Sequence, residues 1–569
     1  MPGEMRRETH FDVVIIGSGY GGAVVAHRLA EAGSRVCVLE RGRAYPQGSF
    51  PRTPDRVRRN FWDPSEGLHG LYDVWSFRGL AAVVASGLGG GSLITANVLI
   101  RKDEDTFVHE DFPRSSRSTA RRGYEHWPIT RADLEPHYDA VEKMLDGQPY
   151  PYESTTPKTQ AMREGAGKLG LPLILPKLAI TFAPKKGAAP ITGEPIVEEH
   201  PNLHGRTRDT CRLCGECNAG CNYGSKNTLD FNYLSAAQRN GADLRTRCEV
   251  RELSRREGGG YLVRYVDHAE RADGEGGETP SQDLPLHTLT AKRVVLAAGA
   301  FGSTFLLLKN RHQFPGLSAR LGSQISGNGD LLTFLDQCRD PGTRAVRRFE
   351  PGLGPVITSS IHVRDAGKAR GFYLQEAGYP QGWGYIIDAI DTPSMLARLF
   401  GLTARIVSSW LGLRPGGNLS ASVARAFGAA ARSSSTLPML AMGRDVPDGV
   451  ATLDARGTLD VDWAERGSDE YFTAVRDMAR RLAEALGGAL RDDPIWVLRR
   501  LITVHPLGGV PMGRDDREGV VDSYGEVFHH PGLYVADGSI MPGPVGPNPS
   551  LTIAAMADRI ATRMIESSR

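Results

Sequence analysis

The sequence lacks a long apolar run, an apolar leader and a large net charge. Its 569 residues carry 68 basic and 66 acidic side chains, a formal net charge of +2, which gives no reason to expect nucleic acid or another acidic partner. No run reaches the length of roughly 18 apolar residues that indicates a membrane span. Residues 1–10 are polar and basic, so no secretory leader is visible and we expect a cytoplasmic protein.

The chain is, in contrast, rich in glycine. It contains 67 glycines, nearly twice the average of roughly 7%, which fits a fold with many tight turns and close backbone approaches. The length exceeds that of a usual single domain, so we expect two or more hydrophobic cores.

A glycine-rich turn near the N-terminus predicts a dinucleotide site. The apolar residues 11–16 form a run of strand length that leads into Gly17-Ser18-Gly19-Tyr20-Gly21-Gly22 and then a helical stretch. Gly17 allows the tight turn, Gly19 lets the backbone approach a pyrophosphate at the helix N-terminus, and Gly22 allows helix and strand to pack closely. A second apolar run ends in Glu40, whose carboxylate suits a ribose diol and disfavours a 2′-phosphate.

Other segments bear on the choice between FAD and NAD. Residues 292–300 and 532–538 are predicted to be buried strands that end in small residues or a carboxylate. Asp537 could hold the ribityl or phosphate end of a flavin, while Gly538 admits the backbone. The chain has a single GxGxxG motif, so a separate nicotinamide domain is not expected.

The C-terminal 70 residues supply a candidate base and a neutral hydrogen-bond partner. His505 lies in a loop shaped by Pro506 and two glycines, and Asn548 precedes a helix-like run. One titratable base and one amide acting on a single substrate oxygen suit the oxidation of an alcohol. The alternative for His505 is a loop histidine whose ring bonds to backbone groups. The alternative for Asn548 is an N-cap before Pro549, which is compatible with a hydrogen bond to the substrate oxygen.

These segments resemble the glucose–methanol–choline (GMC) flavin oxidoreductases, and most closely the actinobacterial cholesterol-oxidase-like branch. The resemblance rests on the N-terminal glycine motif, residues 87–92 and 296–300, the His505 and Asn548 segments and, for the branch, residues 224–230 and 357–361. It implies FAD as the cofactor and oxidation of a CH–OH group to a ketone or aldehyde. The hydride would pass to flavin N5, with His505 as the base and Asn548 orienting the oxygen.

The resemblance also implies which residues surround the cofactor. They are Gly17, Gly19, Tyr20, Gly21, Gly22, Glu40, Gly90, Gly91, Ser92, Val250, Ala298, Asp537, Gly538, Asn548 and Ser550.

The expected fold class is α/β, with an FAD-binding Rossmann-like domain interleaved with a substrate domain. The cofactor motifs fall within residues 1–110, 205–310 and 500–569, which we assign to a discontinuous FAD-binding domain. Residues 111–204 and 311–499 lack such motifs, and we assign them to a substrate-binding domain of the α+β type, an antiparallel sheet with helices.

The substrate is expected to be a sterol or another bulky hydroxylated lipid, with oxygen or a redox protein as the electron acceptor. The long 311–499 segment has enough apolar residues to enclose such a molecule. Steroid oxidases of this kind can also shift a double bond with a carboxylate, for which Glu376, Asp388 and Asp391 are candidates. No motif singles one out, and an ordinary solvated acid is the simpler interpretation of each, so isomerase activity stays open.

Residues 394–432 contain arginines and helically spaced apolar residues but no acid, which predicts one or two basic amphipathic helices. The simpler interpretation is that they pack on the substrate domain. The alternative is an interfacial lid that touches an anionic membrane and admits a lipid.

Four cysteines form a separate motif. Cys211, Cys214, Cys217 and Cys221 have the C-x2-C-x2-C-x3-C spacing of bacterial ferredoxin clusters, although the proline expected next is Asn222. Zinc is disfavoured because the cysteine pairs lie too close together, and disulfides are disfavoured by the cytoplasmic interpretation. A 4Fe–4S cluster and a cluster-free thiol loop both stay open. The alternative function is therefore a redox-responsive or electron-carrying flavoprotein that uses this segment.

Overall fold

The structure is a computed structural model that describes residues 9–52, 58–111, 124–270, 283–365, 370–379, 435–463, 465–493, 496 and 500–567. The predicted helices of 394–432 and the candidates Asp388 and Asp391 lie outside these ranges. In the described residues, the α-helices are α1 Tyr20–Glu31, α2 Arg131–Leu145, α3 Pro157–Lys168, α4 Tyr233–Arg239, α5 Gly299–Lys309, α6 Asp469–Ala485 and α7 Ser550–Glu566.

The strands are, in chain order, β1 His10–Ile16, β2 Val36–Leu39, β3 Trp62–Asp63, β4 Leu68–His69, β5 Tyr72–Ser76, β6 Leu80–Ala85, β7 Val98–Leu99, β8 His109–Asp111, β9 Tyr124–His126, β10 Leu173–Ile174, β11 Lys177–Leu178, β12 Asp243–Arg245, β13 Cys248–Arg255, β14 Tyr261–Asp267, β15 His287–Leu296, β16 Leu331–Asp336, β17 Ser360–Val363, β18 Phe372–Glu376, β19 Leu437–Gly443, β20 Val450–Leu453, β21 Leu459–Asp462, β22 Ala489–Asp492, β23 Leu501–Thr503 and β24 Leu533–Val535.

A seven-stranded sheet carries the N-terminal glycine turn. Its order is β12-β2-β1-β15-β14-β13, and β24 also pairs with β15. Strands β12, β2, β1, β15 and β24 run parallel, whereas β14 and β13 are antiparallel to their neighbours. Every residue of β2 and the last four of β1 are buried, as expected for parallel strands covered on both faces.

The sheet branches at β15, because one edge of this strand pairs with two different strands. Its first half pairs with β14, from His287 to Ala291, and its last three residues pair with β24, from Val294 to Leu296. The last strand of the chain therefore joins the sheet directly beside the strand that pairs with β1. Helix α7, which follows β24, packs on α1.

A second, separate sheet has six antiparallel strands in the order β10-β17-β18-β19-β16-β22. One of its faces packs on α3 and α6. Helix α6 begins with Asp469 and Glu470, which suit the positive end of the helix dipole, and buries Phe472, Val475 and Ala479 at helical spacing. The combination of a largely parallel sheet and a separate antiparallel sheet with helices confirms the predicted α/β class.

The glycine turn depends on contacts that a side chain would prevent. A β-carbon at Gly21 would overlap the carbonyl oxygen of Ala536, which follows β24, and one at Gly22 would overlap the carbonyl oxygen of Gly17. Helix α1 can therefore reach the ends of β1 and β24 only with glycine at both positions.

We predict that Gly21→Ala destabilises the protein by at least about 2 kcal/mol, because overpacking against backbone cannot be relieved by a rotamer change. The matched control is Gly167→Ala in α3, where a β-carbon meets nothing within 4 Å. The measurement is the melting temperature of both variants. An unchanged value for Gly21→Ala would show that α1 does not pack as described.

Candidate active site

The N-terminus of α1 offers unpaired backbone donors. Gly17 has a φ of +99° and turns the chain from β1 into the helix. No side chain in the described residues caps α1, whose N-cap is Gly19, so the first N–H groups of the helix suit an anion. A β-carbon on Gly19 would come no closer than 3.9 Å to other atoms, which indicates open space above this residue.

A second glycine loop closes over the first. Gly90 has a φ of +52°, and a β-carbon there would lie 2.6 Å from Cα of Gly19. The Ser92 hydroxyl donates to the carbonyl of Gly89 at 2.7 Å and accepts from the N–H of Leu229 at 3.2 Å. A β-carbon on Gly91 would meet nothing within 4 Å. The two loops thus form one glycine-lined cradle with room at Gly19 and Gly91.

Glu40 follows β2, as the sequence predicts, and faces the glycine turn. Its carboxylate accepts from the N–H and hydroxyl of Ser18 at 3.1 and 2.7 Å and from the N–H of Gly42 at 2.8 Å. Burial raises the pKa of this carboxyl group. The carboxylate therefore orders the turn itself, and its contact with a ribose remains a prediction.

Asp537 joins the ends of two strands. One oxygen accepts from the N–H of Gly299 at 2.9 Å and from the Ser303 hydroxyl, and the other accepts from the N–H and hydroxyl of Ser539 at 2.9 and 2.6 Å. Through these hydrogen bonds, the Asp537 carboxylate joins the start of α5 to the turn after β24. A direct contact with the flavin, expected from the sequence, remains a prediction.

The remaining expected cofactor residues border the same two loops or the sheet. The Tyr20 hydroxyl lies 3.5 Å from that of Thr95, Ala298 is the N-cap of α5, and Ser550 begins α7. Val250 is buried in β13, beside an irregularity in its pairing with β14.

His505 is paired with a buried carboxylate that the sequence did not reveal. Its Nδ1 lies 2.8 and 3.1 Å from the two oxygens of Asp330, which is 2% exposed. The same carboxylate accepts from the hydroxyl of Thr503 and the N–H of Val504 at 2.9 and 2.8 Å. A proton on Nδ1 donates to Asp330, so Nε2 is the ring nitrogen that can accept a proton.

Asn548 is paired with a second residue that the sequence did not reveal. The Nε2 of Gln375, on β18, donates to Oδ1 of Asn548 at 3.0 Å, and both side chains are buried. The N-cap of α7 is Pro549, and no side chain in the described part of the chain caps it. The alternative that Asn548 serves as the N-cap is therefore wrong, because its side-chain oxygen bonds to Gln375 on the sheet.

One buried turn, residues 326–330, connects these two pairs. Asp330 at its end holds His505. Asn328 accepts at Oδ1 from the N–H groups of Val545 and Gly546 at 2.9 and 3.0 Å. The turn therefore positions both the histidine and the loop that leads to Asn548.

A further carboxylate holds the turn from behind. Asp445 accepts from the N–H of Gly327 at 2.9 Å and from the Ser326 hydroxyl. Complete burial raises the pKa of Asp445 to about 7.

Glu376 is separated from this site by the alternation of β18. Successive strand residues point to opposite faces, so Glu376 and its neighbour Gln375 face apart. Its carboxylate accepts from the N–H of Thr358 at 2.9 Å and from the hydroxyl of Ser359 at 2.8 Å. Glu376 thus holds the loop before β17 and lies on the face away from Asn548.

Lys102 lies under the loop that precedes Asn548. It has no exposed surface, and its Nζ donates to the carbonyls of Pro544 and Val545 at 3.1 and 3.3 Å. The Trp127 ring centre is 4.4 Å from Nζ. Burial lowers the pKa of this lysine to about 7, partly opposed by Glu125.

The cysteine segment lies next to the second glycine loop. All seven cysteines are free thiols, and in the described ranges no three His, Cys, Asp or Glu side chains are grouped as metal ligands. The buried Lys226 donates to the carbonyls of Leu93, Thr95 and Cys217 at 3.1, 2.9 and 2.9 Å. This geometry gives no support to a 4Fe–4S cluster, but it ties Cys217 to the loop that contains Ser92.

Comparison with known proteins defines the class. A model described as "FAD dependent oxidoreductase" matches residues 12–144, and models described as "GMC oxidoreductase" match residues 201–312 and 451–557. The cradle fits a dinucleotide, since its glycines leave no room for side chains where the two loops meet and leave open space at Gly19 and Gly91. The chain is an FAD-dependent oxidoreductase.

Relatives narrow this assignment. A cholesterol oxidase of Mycobacterium tuberculosis is 30% identical over 97% of this chain and 90% of its own length. A cholesterol oxidase of Acinetobacter baumannii is 26% identical over 96% of this chain and 93% of its own. A long-chain-alcohol oxidase of Arabidopsis thaliana is 23% identical over 98% and 66%, respectively. The protein belongs to the GMC oxidoreductase family, in its cholesterol-oxidase-like branch, as the sequence motifs predicted.

Solved structures agree on the fold. A formate oxidase of Aspergillus oryzae matches with a TM-score of 0.60 at 15% identity, over 99% of both chains. A pyridoxine 4-oxidase from Mesorbium loti matches with a TM-score of 0.56 at 17% identity, over 97% of this chain and 98% of the other. Among the described helices, none is long and apolar enough to cross a membrane.

We predict that Gly19→Ala leaves the fold intact but weakens FAD retention, because the added methyl group has room in the protein and occupies space above the α1 N-terminus. The dissociation constant of FAD from the flavin-free protein, measured by flavin fluorescence titration, should rise at least about tenfold, the equivalent of roughly 1.4 kcal/mol. The melting temperature of the flavin-free protein is the control for folding. Full retention of FAD would exclude Gly19 from the site.

We also predict a pH-dependent stability contribution from Lys102. Its pKa is lowered from 10.5 to about 7 on folding, so between these pH values the unfolded chain binds the additional proton, and stability rises with pH by at most about 1.4 kcal/mol per unit. Lys102→Met removes this effect. The melting temperature of the wild type should therefore gain on that of the variant from pH 7 to pH 10; a constant or shrinking difference would contradict the assignment.

Proposed function

We propose that the protein oxidises the CH–OH group of a sterol or another bulky hydroxylated lipid to a carbonyl group. The observation that carries this proposal is the pairing of His505 with Asp330, at the end of the turn 326–330, and of Asn548 with Gln375, with the loop before Asn548 bonded to Asn328 of the same turn. One pair supplies an acceptor for a hydroxyl proton, and the other holds an amide for the same oxygen. A protein that only carried electrons would need neither.

In the proposed mechanism, His505 accepts the hydroxyl proton at Nε2 as the substrate C–H bond breaks. Asp330 keeps Nδ1 protonated and stabilises the imidazolium that forms, which is the task of a buried carboxylate behind a catalytic histidine. Asn548 orients the substrate oxygen. When bound, FAD supplies the acceptor for the hydride, and Gly19, Gly90 and the α1 N-terminus would hold its pyrophosphate.

One observation favours a bulky apolar substrate. The cholesterol oxidase relatives span nearly the whole chain. Oxygen or a redox protein would then reoxidise the flavin.

We further propose that the protein is divided, as the sequence predicts, into an FAD-binding domain and a substrate-binding domain that are interleaved along the chain. Residues 1–110, 205–310 and 500–569 contribute the cradle and His505, and 111–204 and 311–499 contribute Gln375, Asp330 and the antiparallel sheet.

The reaction is tested by anaerobic flavin reduction with cholesterol, long-chain alcohols and short polar alcohols. We expect bleaching of the flavin by sterols at a rate well above that for short alcohols. Bleaching by small polar alcohols alone would overturn the substrate class, and bleaching by none would overturn alcohol oxidation.

The role of the histidine is tested with His505→Ala and Asp330→Asn. We expect the rate of flavin reduction to fall about 100- to 10,000-fold for His505→Ala, the usual contribution of a general base, and less steeply for Asp330→Asn, which keeps the base but weakens its orientation. Bound FAD should be retained in both variants. An unchanged rate for His505→Ala would remove it from the mechanism.

A second candidate function uses the cysteine segment as a redox-responsive or electron-carrying element. The observation in its favour is the Lys226 ammonium group, which joins Cys217 to the loop that contains Ser92. Iron and acid-labile sulfide in anaerobically purified protein, with Cys214→Ser as the control, decide whether a cluster is present. Iron at trace level would end the cluster hypothesis.

A further inference from the structure

Gln375 occupies a rigid and fully enclosed position. It lies on β18, which is flanked by β17 and β19, and its backbone is opposite Ser360 on one side and Leu440 on the other. The side chain is 0% exposed. A central strand cannot swing away without breaking both ladders, so the direction of this amide is set by the sheet.

The hydrogen bonding of Gln375 is one-sided. Nε2 donates to Oδ1 of Asn548 at 3.0 Å, while Oε1 is buried and has no hydrogen-bond partner among the described residues. A buried amide with few hydrogen-bond partners destabilises the fold. Among the described residues, the Gln375 amide bonds to Asn548. The residue is better explained by what it does to Asn548 than by its own packing.

This bond determines which end of the Asn548 amide can face the substrate. The bond turns Oδ1 toward Gln375 on the sheet, so the end of the amide left for the substrate is Nδ2, which can only donate. His505 accepts the hydroxyl proton in the proposed reaction, so the substrate oxygen needs a donor for its lone pair as it gives up that proton. If Asn548 offered Oδ1 instead, two acceptors would compete for one proton.

We propose that Gln375 is a positioning residue that orients Asn548 as a donor to the substrate oxygen. This inference rests on the proposed function. It adds that the sheet side of the site, and not only the C-terminal segment, determines how the reacting oxygen is bound. Gln375 itself acts through Asn548 and needs no contact with the substrate.

The test is a double-mutant cycle on the rate of flavin reduction under anaerobic conditions, with cholesterol at saturating concentration. Gln375→Met keeps the length and removes the donor, and we expect the rate to fall about 10- to 100-fold, the scale for a misplaced catalytic contact. Asn548→Ala should cause a comparable or larger loss. In the Asn548→Ala background, Gln375→Met should lower the rate less than about twofold, because the residue through which it acts is gone.

Tyr373→Phe is the matched control. Tyr373 lies on the same strand and face, two residues away, and its hydroxyl bonds to Asp103 at 2.8 Å. We expect less than about a threefold change, since the hydroxyl is directed to Asp103 and not to Asn548. Flavin content and melting temperature confirm folding, and Gln375→Leu replaces Gln375→Met if the latter does not accumulate.

Two results would overturn the inference. One is an unchanged rate for Gln375→Met, and the other is the same fold-loss in the Asn548→Ala background as in the wild type, which would show that Gln375 acts independently. Failure of the proposed function looks different, since no alcohol would then reduce the flavin of the wild-type protein.

Discussion

The candidate site depends on the hydrogen bonds of one short buried turn. Residues 326–330 directly precede β16. Within these five residues are hydrogen-bond partners for three separate loops, which contain His505, Val545 and Asp445. Asp330 holds His505, Asn328 holds the loop before Asn548, and Asp445 holds the turn itself. A displacement here would disturb both the base and the loop that leads to the amide.

Buried ionisable side chains also hold other loops of the molecule by hydrogen bonds. Glu40, Asp330 and Asp537 each accept several hydrogen bonds from backbone N–H or hydroxyl groups, and Lys102 donates to two backbone carbonyls. Such groups are costly to bury unless they are satisfied, which makes each of them a strong constraint on the loop it holds. The loops around the site are therefore held by hydrogen-bonded ionisable groups, while the apolar cores lie within the sheets and helices.

Local motifs predicted the parts of the site that depend on local geometry. Gly17 and Glu40 directly follow β1 and β2, and Gly21 lies in the first turn of α1, as expected, because a strand–turn–helix unit constrains its own residues. Asp330 and Gln375 could not be found in this way. Asp330 lies 175 residues from its partner, and no nearby pattern distinguishes it or Gln375 from an ordinary strand residue. Glu376 was a candidate only as a carboxylate in the substrate segment. Its face could not be predicted without the register of β18, since a shift of one residue reverses the face.

The order in which the chain is made has a consequence for the cradle. Helix α1 and β1 form within the first 31 residues, but Gly21 packs against the carbonyl of Ala536 and β15 is completed by β24. During synthesis, the early elements emerge long before the segment that covers them. The sheet and the cradle therefore cannot be complete until nearly all residues have left the ribosome.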